Sequence, residues 1–258
     1  MPKTGASFPP EKSCPITYSC PLGLFLAASW QQTPQIIVQE LGNLMASTTD
    51  NYHQSLNCEL LVEIVPSGWL NFYLDAKFIA SWLERSPPKI RVLTDKHQQW
   101  IKQDIASKAE TPASLFFPQY IHARCCSLLL LGARENLIRL SLNGEKTTWQ
   151  INQPSPISWL DKQDNLWLNK TSERNLLEQL LRLTDSWQEN HPEYYWSKLA
   201  HNLSQSISIF LAECRFLGEV KQQCPPKAIA RLRLIALVRF WLEKILQEKL
   251  YVAAPQTM

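Results

Sequence analysis

Glycine is scarce in this chain: seven in 258 residues, at positions 5, 23, 42, 68, 132, 144 and 218. None stands in the G-x-G-x-x-G or G-x-x-x-x-G-K spacing that lets a backbone loop cradle phosphates, so neither kind of nucleotide-binding turn is present. Histidine is scarcer still, with five scattered residues, and the seven cysteines form no C-x-x-C pair. The spacings of a zinc site are therefore missing, and neither a metal nor a cofactor is expected. The longest apolar run, "LLLLGA" at 128 to 133, falls far short of the ~20 residues of a membrane span. The N-terminus has no basic segment followed by an apolar signal core. With an odd number of cysteines, the chain reads as a reduced, cytoplasmic protein.

Nucleophilic chemistry is also thinly supplied. Cys125 and Cys126 are adjacent, but they sit in a strongly apolar stretch, where thiols are structural and inert far more often than reactive. His122 is close in sequence, yet a Cys-His pair needs an orienting third group that the sequence does not offer. No catalytic residue is expected.

What the chain does have is core-forming material: 45% hydrophobic residues and ten tryptophans, enough for one large or two ordinary domains. A net charge of +3 with a pI near 8.4 is mildly basic. That permits nucleic-acid binding without demanding it, since dedicated binders usually exceed a domain pI of ~9. The segment from Pro225 to Leu250 concentrates Lys227, Arg231, Arg233, Arg239, Lys244 and Lys249. Such a run is expected to be the solvated face of a core helix.

Punctuation and periodicity divide the chain. Residues 1–14 are Pro-rich and read as a loose tail. Residues 15–85 read as a small α+β domain, with two helices expected between Tyr18 and Ala46, the second opened by Thr33-Pro34. Two β-rich runs, "CELLVEIV" and "WLNFYL", follow about the turn Pro66-Ser67-Gly68, and Asp75 caps "AKFIASWLER". Residues 86–117 read as a connector with a short strand, "IRVL", and an exposed helix over "DKHQQWIKQDIASKAE". Residues 118–258 are mostly helical, with core stripes at Leu176, Leu180, Leu183 and Trp187 and at Leu199, Leu203, Ile207, Phe210, Cys214 and Leu217. An inserted segment near 137–170 carries Asn143-Gly144 between β-type flanks, a hairpin signal. The fold class is mainly α.

At the start of the helical region, "PQYIHARCCSLL" puts Tyr120 and Arg124 one turn apart on one side of a helix. A stackable ring beside a fixed cation is the chemistry used on unpaired loop nucleotides. A packed ring and a surface ion-pair partner would give the same spacing.

The segment "FFPQYIHARCCSLL" resembles the Q-Y-A-H-A-R helix that opens the anticodon-binding domain of arginyl-tRNA synthetases. The ending "ARLRLIALVRFWLEKILQEKLYVAAPQTM" is similar to that domain's end, with Ala230, Arg231, Leu232, Leu234, Leu246, Leu250, Ala254, Pro255 and Met258 in place. Residues 118–258 thus resemble a DALR-type all-α anticodon-binding bundle. The stretches "YSCPLGLFLAASWQQTPQIIVQELGNLM" and "EIVPSGWLNFYL" resemble the synthetase's N-terminal domain. The resemblance implies a tRNA partner, expected to be arginine-type. It assigns Tyr120, Arg124 and Met258 to the anticodon, and Trp69 and Asn71 to the D-loop.

In the family, a Rossmann catalytic domain with H-I-G-H-type and K-M-S-K-S-type motifs separates these two ends. Here only 34 residues lie between Leu83 and Pro118, where a nucleotide-binding half alone takes on the order of 100. The expectation is a relative of arginine-tRNA ligase without its active domain. Without that body, the N-terminal domain is expected to pack on the bundle near Phe78 and Trp82. Ile121 stands where the family has alanine, expected to make the exposed surface bulkier, and the "GIEAPERM" ending has become "YVAAPQTM". Trp149, Trp159 and Trp167 of the inserted segment suggest a surface for a protein partner, or local packing. Two other readings therefore stand beside tRNA binding: an interaction adaptor on the same scaffold, and an accessory factor to a full-length synthetase.

Overall fold

The structure, a computed structural model, describes residues 16–56, 60–86, 113–143 and 146–258, with the backbone alone over 46–56, 60, 61, 113, 142, 143 and 146–150. The expected tail, the "IRVL" strand and the exposed helix of the connector lie outside these residues. The chain divides into two compact units, Met1–Trp82 with Leu160–Leu166, and Leu83–Trp159 with Trp167–Met258.

In the first unit β1 (Ile16–Cys20), β2 (Leu60–Val65) and β3 (Trp69–Leu74) form an antiparallel sheet in the order β1-β3-β2. On β3, Leu70 and Leu74 face the core, joined there by Ile16, Ile37, Val38 and Ile79. Trp69, Asn71 and Tyr73 take the other face, as the period of two requires. The strand β1 corrects the expectation of helix from Tyr18. Pro21 lacks an N–H, so the helix α1 (Leu22–Trp30) begins only after it, and the five residues before it add a strand to β3.

Thr33-Pro34 does open α2 (Pro34–Leu56), which runs past the expected limit at Ala46. The two-strand turn holds Gly68 at φ +93°, a left-handed conformation that favours glycine. Its carbonyl accepts the Gly23 N–H at 3.1 Å, so α1 starts in direct backbone contact with the turn. Asp75 caps α3 (Ala76–Arg85) by accepting the Phe78 N–H at 2.6 Å.

In the second unit a short 3₁₀ turn, Ala113–Leu115, leads into α4 (Phe116–Arg134). The hairpin expected about Asn143-Gly144 follows, β4 (Arg139–Asn143) and β5 (Lys146–Gln153), with Asn143 paired to Lys146. Then come α5 (Thr171–Ser186), α6 (Glu193–Glu213), α7 (Glu219–Gln223) and α8 (Pro225–Lys244), which ends in a π turn, Ile245–Lys249. The helix α8 is the centre of the bundle. Ala228, Ala230, Leu232, Leu234, Ile235, Val238, Trp241 and Leu242 are all wholly buried, and they circle the helix rather than forming one stripe.

That central position overturns the expected solvated face. The guanidinium of Arg231 is buried and donates to Glu173 Oε1 at 2.7 Å. Arg239 is buried against Glu243 at 2.5 Å, and Arg233 donates to the Ile151 carbonyl at 3.2 Å. Lys227 donates to Asn169 at 3.1 Å, and Lys244 pairs with Glu248. Lys249 lies over the rings of Trp187 and Trp196, at 4.7 and 4.5 Å from their centroids. All six cations of this run are engaged within the unit.

Candidate functional site

The helix α4 sorts its polar side chains onto two sides. Gln119 and His122, one turn apart, hold the C-terminal tail: Gln119 Nε2 donates to the Ala253 carbonyl at 2.8 Å, and His122 Nδ1 lies 2.7 Å from the Pro255 carbonyl. Tyr120 and Arg124 point away from that side, by roughly 150° at about 100° per residue. Both are exposed, Tyr120 at 40%. Arg124 Nη1 stands 3.5 Å from the Tyr120 hydroxyl, at the limit of a hydrogen bond. The ring and the guanidinium are thus aligned without being locked together.

Met258 ends the tail that Gln119 and His122 bolt to α4, and it is 64% exposed. The tail is docked at Ala253 and Pro255, and no described contact joins the Met258 side chain to Tyr120 or Arg124. The tail's entry is a backbone feature: Tyr251 takes φ +53°, at the position where the resembling ending has glycine. Ile121 is 1% exposed. It corrects the expectation of a bulkier surface, since residue 121 lies on the buried side of α4 and widens the core.

The titratable groups beneath this surface are inert. Burial pushes the His122 imidazole down to about 4, so it is neutral and donates from Nδ1 to Pro255. Burial pushes the Cys126 thiol up to about 11 and the Cys125 thiol higher still, which removes both as nucleophiles. Among the described residues no group of three or more His, Cys, Asp or Glu could hold a metal ion. No described helix is long and apolar enough to cross a membrane.

In the first unit, Trp69 and Asn71 share the face of β3 opposite the core. Trp69 is 37% exposed. Asn71 sits between two strands: its Oδ1 accepts from Ser19 Oγ at 2.8 Å, and its Nδ2 donates to Glu63 Oε2 at 2.9 Å. Tyr73 donates to the same Glu63 oxygen at 2.7 Å. The hydrogen bonds from Asn71 and Tyr73 hold the Glu63 carboxyl below its ordinary range. An anion therefore lies beside Asn71, which suits a base edge with donors and repels a phosphate.

The inserted tryptophans divide. Trp159 is 4% exposed and its Nε1 donates to Glu84 Oε2 at 2.8 Å. It corrects the expectation of an anchor for a partner, because the ring and its N–H are already used inside the second unit. Trp167 is half-buried. Trp149 lies in β5 and its side chain is outside the described residues.

One element of the surface had no sequence signal strong enough to single it out. The loop after α6 brings Arg215, Phe216 and Gly218 against α4, and with Arg124 they line a groove of about 340 Å³. Only the lone exposed arginine in the apolar run "CRFLG" could have pointed to it.

Residues 118–258 match the family model described as the DALR anticodon binding domain. The chain is also similar to the arginine–tRNA ligase of Synechococcus sp. (strain JA-3-3Ab), 28% identical over 158 residues, which is 60% of this chain and 24% of that relative. The chain thus spans about a quarter of the length of the curated relative it matches. No solved structure gives a significant match.

Proposed function

From the premise that this chain belongs to the DALR anticodon-binding domain family, we propose that it is a non-catalytic tRNA-binding protein. It grips an anticodon loop through Tyr120, Arg124 and the tail ending at Met258. The observation that carries this reading is the exposed Tyr120–Arg124 pair one turn apart on α4. A ring face and a planar cation side by side can stack on an unpaired base and hold the adjacent phosphate.

The arginine-type identity of the tRNA rests on the similar arginine–tRNA ligase. Trp69 offers a second stacking face for the D-loop, with Asn71 orienting it. Within these 258 residues the stretch between Leu83 and Pro118 supplies neither ATP motif nor a glycine-rich turn, and we read the protein as binding without charging. The adaptor reading loses its main anchor in the buried Trp159.

Fluorescence anisotropy with an arginine-type tRNA transcript and a random RNA of equal length tests the proposal. The tRNA should bind more tightly. Tyr120→Ala should cost roughly 1–3 kcal/mol of binding, and Arg124→Ala should also flatten the salt dependence. Equal affinity for the two RNAs would end the reading, and aminoacylation of tRNA by the pure protein would end its non-catalytic part.

A further inference from the structure

The helix α1 in the first unit is built inside out. The residue it buries is Gly23, whose N–H meets the Gly68 carbonyl at 3.1 Å. A Cβ there would stand 2.7 Å from the Pro34 carbonyl oxygen and 2.8 Å from that of Gly68, so the helix rests on its glycine. At about 100° per residue, Leu24, Phe25, Ala28 and Ser29 share the opposite face, within roughly 140° of one another. All four are exposed, Phe25 at 75% and Leu24 at 47%. A surface helix ordinarily turns its apolar stripe toward the core, and α1 presents its leucine and phenylalanine outward instead.

The apolar surface continues past the helix. A Cβ at Gly68 would meet Pro34 Cβ at 2.6 Å and Leu24 Cδ2 at 3.3 Å, so Leu24 and the opening turn of α2 border the same glycine. On that turn Ile36 is 48% exposed. Together these side chains offer roughly 400 Å² of apolar surface, the scale at which a patch on a monomer is often functional.

Charge decides the occupant. No Asp, Glu, Lys, Arg or His stands from Ser13 to Gln39, so the patch has no ion to offer a charged partner. In a two-fold contact a surface meets its own copy, and any charge in it would face a like charge. A patch without charges is self-complementary in this respect. Its relief fits as well. Phe25 and Ala28, the largest and the smallest side chains of the outward face, are neighbours one turn apart. In an antiparallel pair of helices the ring of each copy settles over the Ala28 of the other, whereas a parallel pair would set ring on ring.

We propose that α1 is the seam of a homodimer, in which two copies of this chain pack antiparallel through Leu24, Phe25 and Ala28 with Ile36 at the rim. The patch and its rim bury on the order of 1,000 Å² in a pair, the low end of specific interfaces, so the association is weak and reversible. It stands independently of the RNA-binding reading.

Sedimentation velocity of the full chain from about 1 µM to about 500 µM tests the proposal. The wild type should pass from monomer to dimer with a dissociation constant of roughly micromolar order. Phe25→Glu should weaken the dimer by about 100-fold or more, because a two-fold contact contains the change twice, and Ala28→Lys should do the same. Both side chains are exposed, so each variant should melt within about 2 °C of the wild type. Mixed in equal amounts, the two variants should form a heterodimer at least about 10-fold tighter than either homodimer, since the new carboxylate then faces the new ammonium while the other half of the seam is unchanged.

A wild type that stays monomeric at the highest concentration overturns the proposal, and α1 is then covered by another segment of this chain or by a different protein. A dimer that both variants leave intact overturns it too, as does a mixture that associates no better than its components.

Discussion

Replacing Arg231 by methionine should be among the most damaging single changes in the second unit, and the reason is the residue left behind. Glu173 is 0% exposed and Arg231 2% exposed, and they meet at 2.7 Å. Methionine fills much of the arginine's volume, so the cavity left is small. The carboxylate, however, keeps only the Lys170 N–H for company. Stranding one member of a buried ion pair costs roughly 3–5 kcal/mol. The Arg215 carbonyl also loses a donor.

Against a typical domain stability of roughly 5–15 kcal/mol, that is a large fraction. With a urea dependence of roughly 2 kcal/mol per molar, the midpoint should fall by about 2 M. Tryptophan fluorescence can follow it, because Trp187, Trp196 and Trp241 form one edge-to-face cluster in this unit. Adding Glu173→Gln removes the charge while keeping an acceptor for Lys170, and should restore a substantial part of the loss. A midpoint shift below about 0.5 M for Arg231→Met would refute the reasoning, since it would mean that the Glu173 carboxylate had found another cation or water.

Acid should weaken the same unit through His122. Its folded value of about 4 lies below the ordinary 6.5, so between those values the unfolded chain takes up a proton that the folded chain refuses. Stability is therefore full above about pH 6.5 and falls as the pH drops toward 4, by up to about 3 kcal/mol. Urea midpoints across that range should show the fall, and His122→Gln should flatten it. In the first unit Gly23→Ala should be severely destabilising, because a Cβ there would stand 2.7 Å from the Pro34 carbonyl oxygen and 2.8 Å from that of Gly68. Thermal melting of the variant within about 2 °C of the wild type would contradict this.

The sequence made legible what depends on neighbours along the chain. Thr33-Pro34 opens a helix, Asp75 caps one, and the Pro66–Gly68 turn joins two strands, because each is a contact spanning three or four residues. The strand β1 was hidden for the opposite reason: Ile16–Cys20 is a strand only by virtue of β3, whose paired residues lie 50 to 58 positions on, and its own pattern is short and polar. The inward cations were hidden in the same way. Arg231 is buried because Glu173 lies 58 residues back, and Trp159 because Glu84 lies 75 residues back. A partner at that separation leaves no periodicity to read. For the site, Tyr120 and Arg124 were visible as a spacing, while the groove that Arg124 shares with Arg215 is made by two elements that meet only in three dimensions.

The distribution of cations also bears on what kind of binder this can be. A formal charge of +3 suggests little, and the basic terminal helix reads as a solvated face, yet α8 and its π turn direct their six cations to Glu173, Glu243, Glu248, Asn169, the Ile151 carbonyl and two indoles. Those charges are spent inside the bundle and, on the tRNA-binding reading, would release no counterions. What remains near the proposed surface is Arg124, with Arg215 in the lining of the same groove. Even two single-strand phosphate contacts would contribute a salt slope of only about 1.4, far less than a backbone tracker shows. Affinity at such a surface must come from stacking and from fit to an unpaired loop, and those discriminate a folded RNA from a random one in a way that charge alone does not.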